Sequence, residues 1–441
     1  MFRKSINTLT VAVALLATAP ATADDIDGDL NKNYNNGKNS DVQLAPLPFF
    51  IGKNSDIQLG PRPFYLVDGM DEGPLKDQLT RCKDGHFYRT NFSIGHRGAA
   101  LQFPEHSDAS YMAGARMGAG IVECDVTFTK DGELVCRHSE CDLHTTTNIV
   151  ATPLNAKCTT PWSGPNSSPQ CCTSDLTLDE FESLEAKMDA SNPSAATAQG
   201  YLGGTASWRT DLYTGRAHVV TFKESIALNQ ANGVKHTPEL KSATHQDRID
   251  AIFGGQEQYA QQFADTMKNA GVKPQDTWPQ SFNLEDIFYW IDHTQYGKQA
   301  AYLLDYDTDK DDIIIQAPYD AMDRTEFLQM LKKRGVKVIA PSMPALLRVT
   351  DSGDIVPSPF AKDLKRMGFD IIAWTFERAD LRQGASQAGY YYDFDPTGVA
   401  IKKDSDMYKA LDVLAKDVKI LGIFSDWPAT VTYYANCMGL K

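Results

Sequence analysis

The sequence of 441 residues lacks the features that would hold a chain in a membrane or on a nucleic acid. Its apolar run over 9–17 is too short to span a bilayer, and no longer one follows it. Basic residues are outnumbered: 43 Lys and Arg stand against 57 Asp and Glu, a net charge of −14. Without a basic surface to release counterions from phosphates, a nucleic-acid partner is not expected.

The cysteines lack the paired C-x2-C spacing of a structural zinc site. There are eight, an even number: Cys82, Cys124, Cys136, Cys141, Cys158, Cys171, Cys172 and Cys437. In an exported protein this number favours disulfides, with a zinc cluster as the weaker alternative. The sequence does not choose among the many possible pairings.

Residues 1–23 have the pattern of a signal peptide. Arg3 and Lys4 precede the apolar run, and Ala21-Thr22-Ala23 supplies small residues for cleavage before Asp24. The sequence therefore predicts an exported protein, periplasmic or secreted, without a stable membrane anchor.

Residues 24–60 are polar and are predicted to form a flexible leader. Within it the segment 37–44 recurs almost unchanged at 52–59, a tandem duplication too short for a solenoid. The second copy is expected to pack against the domain, and the first copy is expected not to be needed for packing. Residues 61–441 are then one domain.

From residue 92 onward, short apolar runs alternate with helical patterns. Eight runs are strand candidates, namely 92–95, 121–128, 237–240, 278–282, 300–304, 337–340, 371–376 and 420–425. Helices are predicted between them, for example at 109–117, 256–270, 323–334 and 406–415. This alternation favours an α/β fold, a parallel (β/α)8 TIM-type barrel.

The stretch 139–235 is too long for one connection between a strand and a helix. It carries four cysteines and a loop-like composition, with one or two short helices expected near 178–188. We interpret it as a disulfide-containing insertion after a hairpin that follows the second strand. Its expected place is over the mouth of the barrel, where such a cover would restrict substrate access.

Histidines and acids gather in one short part of the sequence. His96-Arg97-Gly98 ends the first candidate strand, Pro104-Glu105-His106 follows it, and Glu123-Cys124-Asp125 lies on the second, with His138 beyond. Because side chains alternate along a strand, Glu123 and Asp125 share a face. Paired carboxylates beside acid/base groups suit metal-assisted hydrolysis.

The order and spacing of these residues resemble the glycerophosphodiester phosphodiesterase family over roughly 92–430. The family's T-x-D-G element is similar to Thr129-Lys130-Asp131-Gly132, and its later E-x-K to Glu239-Leu240-Lys241. Two positions depart from the commonest pattern, since Ser139 stands where Asp is usual and His106 where Asn is common. The resemblance implies a barrel with its site at the carboxyl ends of the strands.

Each site residue has an expected role. Glu123, Asp125 and Glu239 are hard oxygen ligands for one divalent cation, Ca²⁺ or Mg²⁺. His96 and His138 form an acid/base pair, and a tight turn is expected to place His138 opposite Asp125.

Positive charge for the phosphate is expected from Arg97 and Lys241. Glu105 orients Arg97 or a histidine, or serves as a fourth acidic ligand. Phe282 and Trp374 either wall an alcohol subsite or belong to the core. A structural role is expected for the remaining histidines considered, namely His106, His144, His218, His236 and His245.

The function implied by the resemblance is hydrolysis of small glycerophosphodiesters to glycerol 3-phosphate and an alcohol. One alternative is a phospholipase D-like enzyme acting on intact phospholipids, which calls for exposed apolar loops at the mouth. Another is a non-catalytic binding protein on a decayed barrel. Direct attack by water and a cyclic phosphate intermediate stay open, as does the oligomeric state.

Overall fold

A computed structural model describes residues 57–440 as a closed barrel of eight parallel strands. The strands, named β1 to β8 in chain order, are Thr90–Gly95, Ala119–Phe128, Lys235–Leu240, Gln280–Ser281, Ala301–Leu304, Val338–Pro341, Asp370–Phe376 and Gly422–Ser425. Each pairs with the next along the chain, and β8 pairs with β1 to close the ring. The prediction of a parallel (β/α)8 barrel is confirmed.

Apolar side chains from six of the strands fill the barrel interior. The buried cluster comprises Ile94, Ile121, Ala301, Leu303, Val338, Ala340, Ile372 and Phe424. Parallel strands that are buried on both faces have continuous apolar sequences. The apolar runs in the sequence therefore predicted where these strands lie. All ten residues of β2 are buried, including Glu123 and Asp125.

Helices connect the strands around the outside. The longer ones are Asp108–Arg116, Phe222–Ala231, Gln246–Phe253, Gln256–Asn269, Leu284–His293, Arg324–Lys333, Pro359–Arg366, Met407–Val413 and Pro428–Met438. Several begin with a side-chain cap, as at Thr221 and Asp323, whose oxygens accept hydrogen bonds from Glu224 N and Glu326 N. The four predicted helices are confirmed to within a few residues.

Further short elements lie outside the barrel strands and the longer helices. Short strands form at Leu134–Cys136, Tyr306–Asp307 with Asp312–Ile313, and Leu347–Val349 with Ile355–Pro357. Two α-helices, Arg62–Asp68 and Pro74–Cys82, precede β1, short α-helices are Leu143–Thr146, Leu178–Glu182, Ala198–Tyr201 and Met343–Leu346, and a π-helical turn spans Leu414–Val418. Single 3₁₀ turns lie at Ile149–Ala151, Pro153–Lys157, Thr173–Asp175, Pro274–Asp276, Gly297–Gln299, Ala385–Gln387, Tyr390–Tyr392 and Asp404–Asp406.

The insertion 139–235 has a small core of its own. Its four cysteines pair with one another, Cys141 with Cys172 and Cys158 with Cys171. Apolar side chains such as Leu143, Phe181 and Tyr201 are buried around them. Two disulfides thus lie within the segment, and all eight cysteines of the chain are paired.

The predicted signal peptide, 1–23, and most of the leader, 24–60, lie outside the described residues. The described end of the second duplicate does pack on the domain: Leu59 is buried, and Gln58 N donates to Arg116 O at 2.9 Å. Within 57–440, no helix is both long enough and apolar enough to cross a membrane.

A disulfide between Cys82 and Cys437 joins the N-terminal helix Pro74–Cys82 to the last helix, 355 residues away. We expect replacement of both cysteines by Ser to lower the free energy of unfolding by roughly 2–5 kcal/mol, because the unfolded chain loses its longest crosslink. The bond lies at the end of the barrel where strands begin, so kcat should not change. Urea unfolding of the two proteins measures the loss, and an unchanged midpoint would contradict it.

Candidate active site

Three buried carboxylates meet where β2 and β3 run side by side. Asp125 and Glu239 are directly paired in the register, and Glu123 lies two residues before Asp125 on the same face. Ligand oxygens of all three lie within 4.8 Å of one another, and each residue is at most 5% exposed. The strand register thus gathers the three acids that the sequence named as metal ligands.

This acid cluster has the electrostatics of a cation site. Burial and the charge of Asp125 raise the pKa of Glu123 well above its usual value, and burial raises that of Glu239 to about 8. Asp125 Oδ1 is buried with no hydrogen-bond partner among the described residues. Since three buried acids this close repel one another, a divalent cation fits both the donor set and the buried Oδ1 of Asp125.

Neighbouring side chains fix the orientation of each acid. Glu123 accepts hydrogen bonds from Arg97 N at 3.0 Å and from Gln280 Nε2 at 2.8 Å. Glu239 Oε1 lies 2.7 Å from Lys241 Nζ. These contacts leave the acids little freedom to turn away from one another.

Asp125 is held by His106, for which the sequence indicated a structural role alone. His106 Nε2 lies 2.8 Å from Asp125 Oδ2, and Nδ1 lies 3.0 Å from the hydroxyl of Tyr111. Because a carboxylate only accepts, the proton of His106 is on Nε2. Burial opposes ionisation of Asp125, yet His106 and Lys241 together lower its pKa well below the usual range.

His96 follows directly after β1, and its ring is held by an aspartate on the side away from the acid cluster. Its Nδ1 lies 2.6 Å from Asp426 Oδ1, which puts the proton on Nδ1 and leaves the lone pair on Nε2. Nε2 is 3.8 Å from Glu123 Oε2, so it faces the acid cluster. Burial and Arg97 lower the pKa of His96 to about 4, so the ring is neutral at pH 7.

His138 is half-buried and lines the same pocket, but the hairpin that delivers it differs from the prediction. Cys136 pairs with Val126, and Arg137 N donates to Asp125 O at 2.8 Å. Arg137, not His138, therefore stands opposite Asp125. The turn is one residue longer than a two-residue turn, because Thr129 still pairs with Glu133 through a 2.9 Å backbone hydrogen bond. Burial and the cations Arg97 and Lys241 lower the pKa of His138.

A buried charge network supports the first strand's loop. Arg97 Nη1 donates to Glu105 Oε1 at 2.9 Å, and Arg378 contacts both Glu105 at 3.3 Å and Asp426 at 3.0 Å. Glu105 thus lies against Arg97, outside the cluster of three acids. Asp426 and Arg378 follow β8 and β7, and sequence reasoning missed both. Their position just beyond the carboxyl end of a strand could have indicated both residues from the sequence.

Aromatic side chains form the other side of the pocket. Phe282 and Trp374 line it together with Tyr391, which the sequence did not single out. No residue of 139–235 is among the pocket-lining residues of the described chain. The insertion packs against the loop after β1, where Tyr213 stacks on Phe103 with ring centres 4.4 Å apart and Arg209 donates to Leu101 O. That it covers the mouth and restricts substrate access stays a prediction.

Residues 96–430 match the sequence model of the glycerophosphoryl diester phosphodiesterase family. An extracellular protein of Arthroderma benhamiae is 37% identical over 258 residues, which span 57% of this chain and 100% of that protein. A glycerophosphodiester phosphodiesterase of Arabidopsis thaliana is 29% identical over 186 residues, 41% of this chain and 45% of that protein.

The fold is also similar to a solved structure from Silicibacter pomeroyi that is assigned to glycerophosphoryl diester phosphodiesterase. The TM-score is 0.53 at 16% identity, covering 82% of this chain and 98% of that chain. This similarity concerns the fold alone. The family match, over most of the chain and including the pocket residues, carries the assignment. The chain belongs to the glycerophosphoryl diester phosphodiesterase family and is a phosphodiesterase.

Proposed function

We propose that the enzyme hydrolyses glycerophosphodiesters to glycerol 3-phosphate and an alcohol, using one divalent cation and two histidines. The observation that carries this proposal is one pocket lined by His96, His138 and the three clustered acids, Glu123, Asp125 and Glu239. Family membership supplies the substrate class. The small molecule is the only partner that the proposal requires.

Glu123, Asp125 and Glu239 would hold the cation, either Ca²⁺ or Mg²⁺, because carboxylate oxygens suit hard cations. When bound, it would offset the repulsion among the acids and polarise a phosphate oxygen. Arg97 and Lys241 border the same pocket and would pair with the remaining phosphate charge. Glu105 keeps Arg97 in place through its 2.9 Å ion pair.

His96 is suited to accept the proton from the attacking hydroxyl. Asp426 holds its Nδ1 proton, so the basic Nε2 points into the pocket. An ion pair with Asp426 also stabilises the ring once it is protonated.

His138 would then protonate the leaving alkoxide. Burial is the main cause that lowers its pKa, and the charges of Arg97 and Lys241 add to it. The negative charge of a bound phosphodiester would offset part of the effect of these two cations and would favour the protonated ring, which donates the proton.

Intact phospholipid is the second candidate, because it would use the same barrel chemistry. It predicts an apolar surface around the mouth. On the insertion and on the loops that follow β5 and β7, the exposed large apolar side chains are Leu212, Tyr213, Ile314 and Val399, and Tyr213 is stacked on Phe103. Four residues spread over three segments make little apolar surface, which favours the water-soluble diester.

Export is proposed from three observations. The sequence of 1–23 has the pattern of a signal peptide. The chain forms four disulfides, which persist in oxidising compartments, and the Arthroderma relative is described as extracellular.

The test is an assay of glycerol 3-phosphate release from glycerophosphocholine by the purified mature chain, with lysophosphatidylcholine in a parallel arm. We expect glycerol 3-phosphate from the first substrate and far slower cleavage of the second. Cleavage of the lipid alone would support the phospholipase D-like alternative. Absence of cleavage in both arms, with Mg²⁺ or Ca²⁺ present, would contradict the proposed function.

A further inference from the structure

The mouth of the barrel has two chemically different halves. The carboxyl ends of β1, β2, β3 and β8 carry the histidines, the acids and their supporting charges. The ends of β4, β5 and β7 carry Phe282, Asp305 and Trp374. A phosphodiester cleaved on the first half must place one of its two substituents toward the second.

The aromatic rings of the second half are fixed in a box-like arrangement. Trp374 Nε1 donates to Ala340 O at 2.8 Å, which sets the plane of the indole. The rings of Phe282 and Tyr391 stand at 80° and 79° to that plane, and their centres lie 6.0 and 6.3 Å from the centre of the Trp374 ring. All three rings line the pocket and remain partly exposed.

The neighbouring tyrosine ties this arrangement to the barrel. Tyr390 donates to Ser342 Oγ at 2.9 Å, and its ring centre lies 5.5 Å from that of Tyr391. Tyr391 is therefore held at the mouth by a side chain that is bound just beyond β6.

Asp305 supplies a negative charge to this half. It follows β5 directly, is half-buried, and its carboxylate makes no hydrogen bond or ion pair with any residue in 57–440. Burial raises its pKa, which an arriving cation would reverse. Among the described residues, Lys241 is the cation whose charge acts on Asp305, and it is already paired with Glu239 at 2.7 Å.

We propose that this half of the mouth is a subsite for a cationic leaving alcohol of the choline or ethanolamine class. The faces of Trp374 and Tyr391 would receive the ammonium group, with Asp305 as its counter-charge. Ring faces attract a quaternary ammonium through their quadrupole, whereas they offer a neutral polyol no hydrogen bonds. This inference rests on the proposed function, since it names the class of substrate for the same site.

The first experiment compares kcat/KM for glycerophosphocholine and for glycerophosphoglycerol, whose head group is neutral. We expect the preference for the choline ester to fall roughly tenfold in Tyr391→Leu, between the effects of an exposed and of a desolvated cation–π contact, and to fall also in Asp305→Asn, which removes the counter-charge. Tyr391→Phe, which keeps the ring, should retain the preference. Tyr65→Leu and Asp320→Asn are matched controls on exposed positions outside the pocket.

The second experiment uses binding, so that the subsite is tested separately from catalysis. Choline and its neutral isostere 3,3-dimethylbutan-1-ol are titrated against the unmodified protein by NMR. Tighter binding of choline that Tyr391→Leu abolishes supports the subsite even if no glycerophosphodiester is cleaved, in which case the proposed function alone fails. Equal binding of the two probes, or hydrolysis of both diesters with unchanged preference in every variant, overturns the subsite and leaves the function standing.

Discussion

Replacement of His96 or of His138 by Ala is expected to lower kcat by roughly two to four orders of magnitude, the contribution of a positioned acid or base. His96 meets the substrate with its Nε2, while its Nδ1 is held by the 2.6 Å contact with Asp426. His138 borders the same pocket and is half-buried. Both rings line the pocket at the ends of the strands, so their loss widens the pocket and leaves the apolar cluster of the barrel in place, and both variants should fold.

The measurement is kcat with glycerophosphocholine, alongside circular dichroism and unfolding curves to establish that the fold is kept. The double variant should be little worse than the poorer single one, because the two rings act in one proton-transfer sequence. His218→Ala is the control, since His218 is exposed and lies outside the pocket. Near-normal turnover in either single variant would remove that histidine from the proposed mechanism.

Removal of divalent cations should abolish activity, and Mg²⁺ or Ca²⁺ should restore it. The reason is the acid cluster, three buried carboxylates within 4.8 Å whose repulsion needs a counter-charge. A cation that binds the folded state alone also stabilises it, by about 2.7 kcal/mol at a free concentration of one hundred times Kd. Chelation should therefore lower Tm as well as activity.

Asp125→Asn should lose both effects, because it removes one charge and keeps the shape. Asp286→Asn is the matched control: Asp286 is equally buried, at 2% exposed, and accepts hydrogen bonds from Ser281 and Gln256 outside the cluster. Metal content and thermal unfolding are measured with and without chelator. Full activity in chelator, or an anomalous-scattering map without a peak between these acids, would contradict the assignment.

Much of the site could be predicted because its central residues are close together in the sequence. Glu123 and Asp125 are two residues apart on one strand, so the period of two puts them on one face in any fold that contains the strand. His96 lies where β1 ends, and strand ends meet at one edge of a parallel barrel. The apolar runs located all eight strands for the same reason: buried parallel strands need continuous apolar sequence.

The sequence was less informative where a position depends on a turn or on packing. The hairpin after β2 is longer than a two-residue turn, which shifts its register by one residue and puts Arg137 opposite Asp125. The apolar residues of the insertion are buried in a core that the insertion itself forms. The sequence did not indicate that Tyr391 lines the pocket beside Trp374, because this depends on the packing of the loop after β7.

The sequence by itself determined the strands, the shared face of Glu123 and Asp125, and the chemistry available at the ends of the strands. Only the tertiary structure decided that Asp426 holds His96, a contact between residues 330 positions apart that exists because β8 closes on β1. It likewise decided the four disulfide pairings and the placement of His106 against Asp125. Side-chain alternation is a property of each strand alone, whereas closure of the barrel depends on the packing of every strand and helix together.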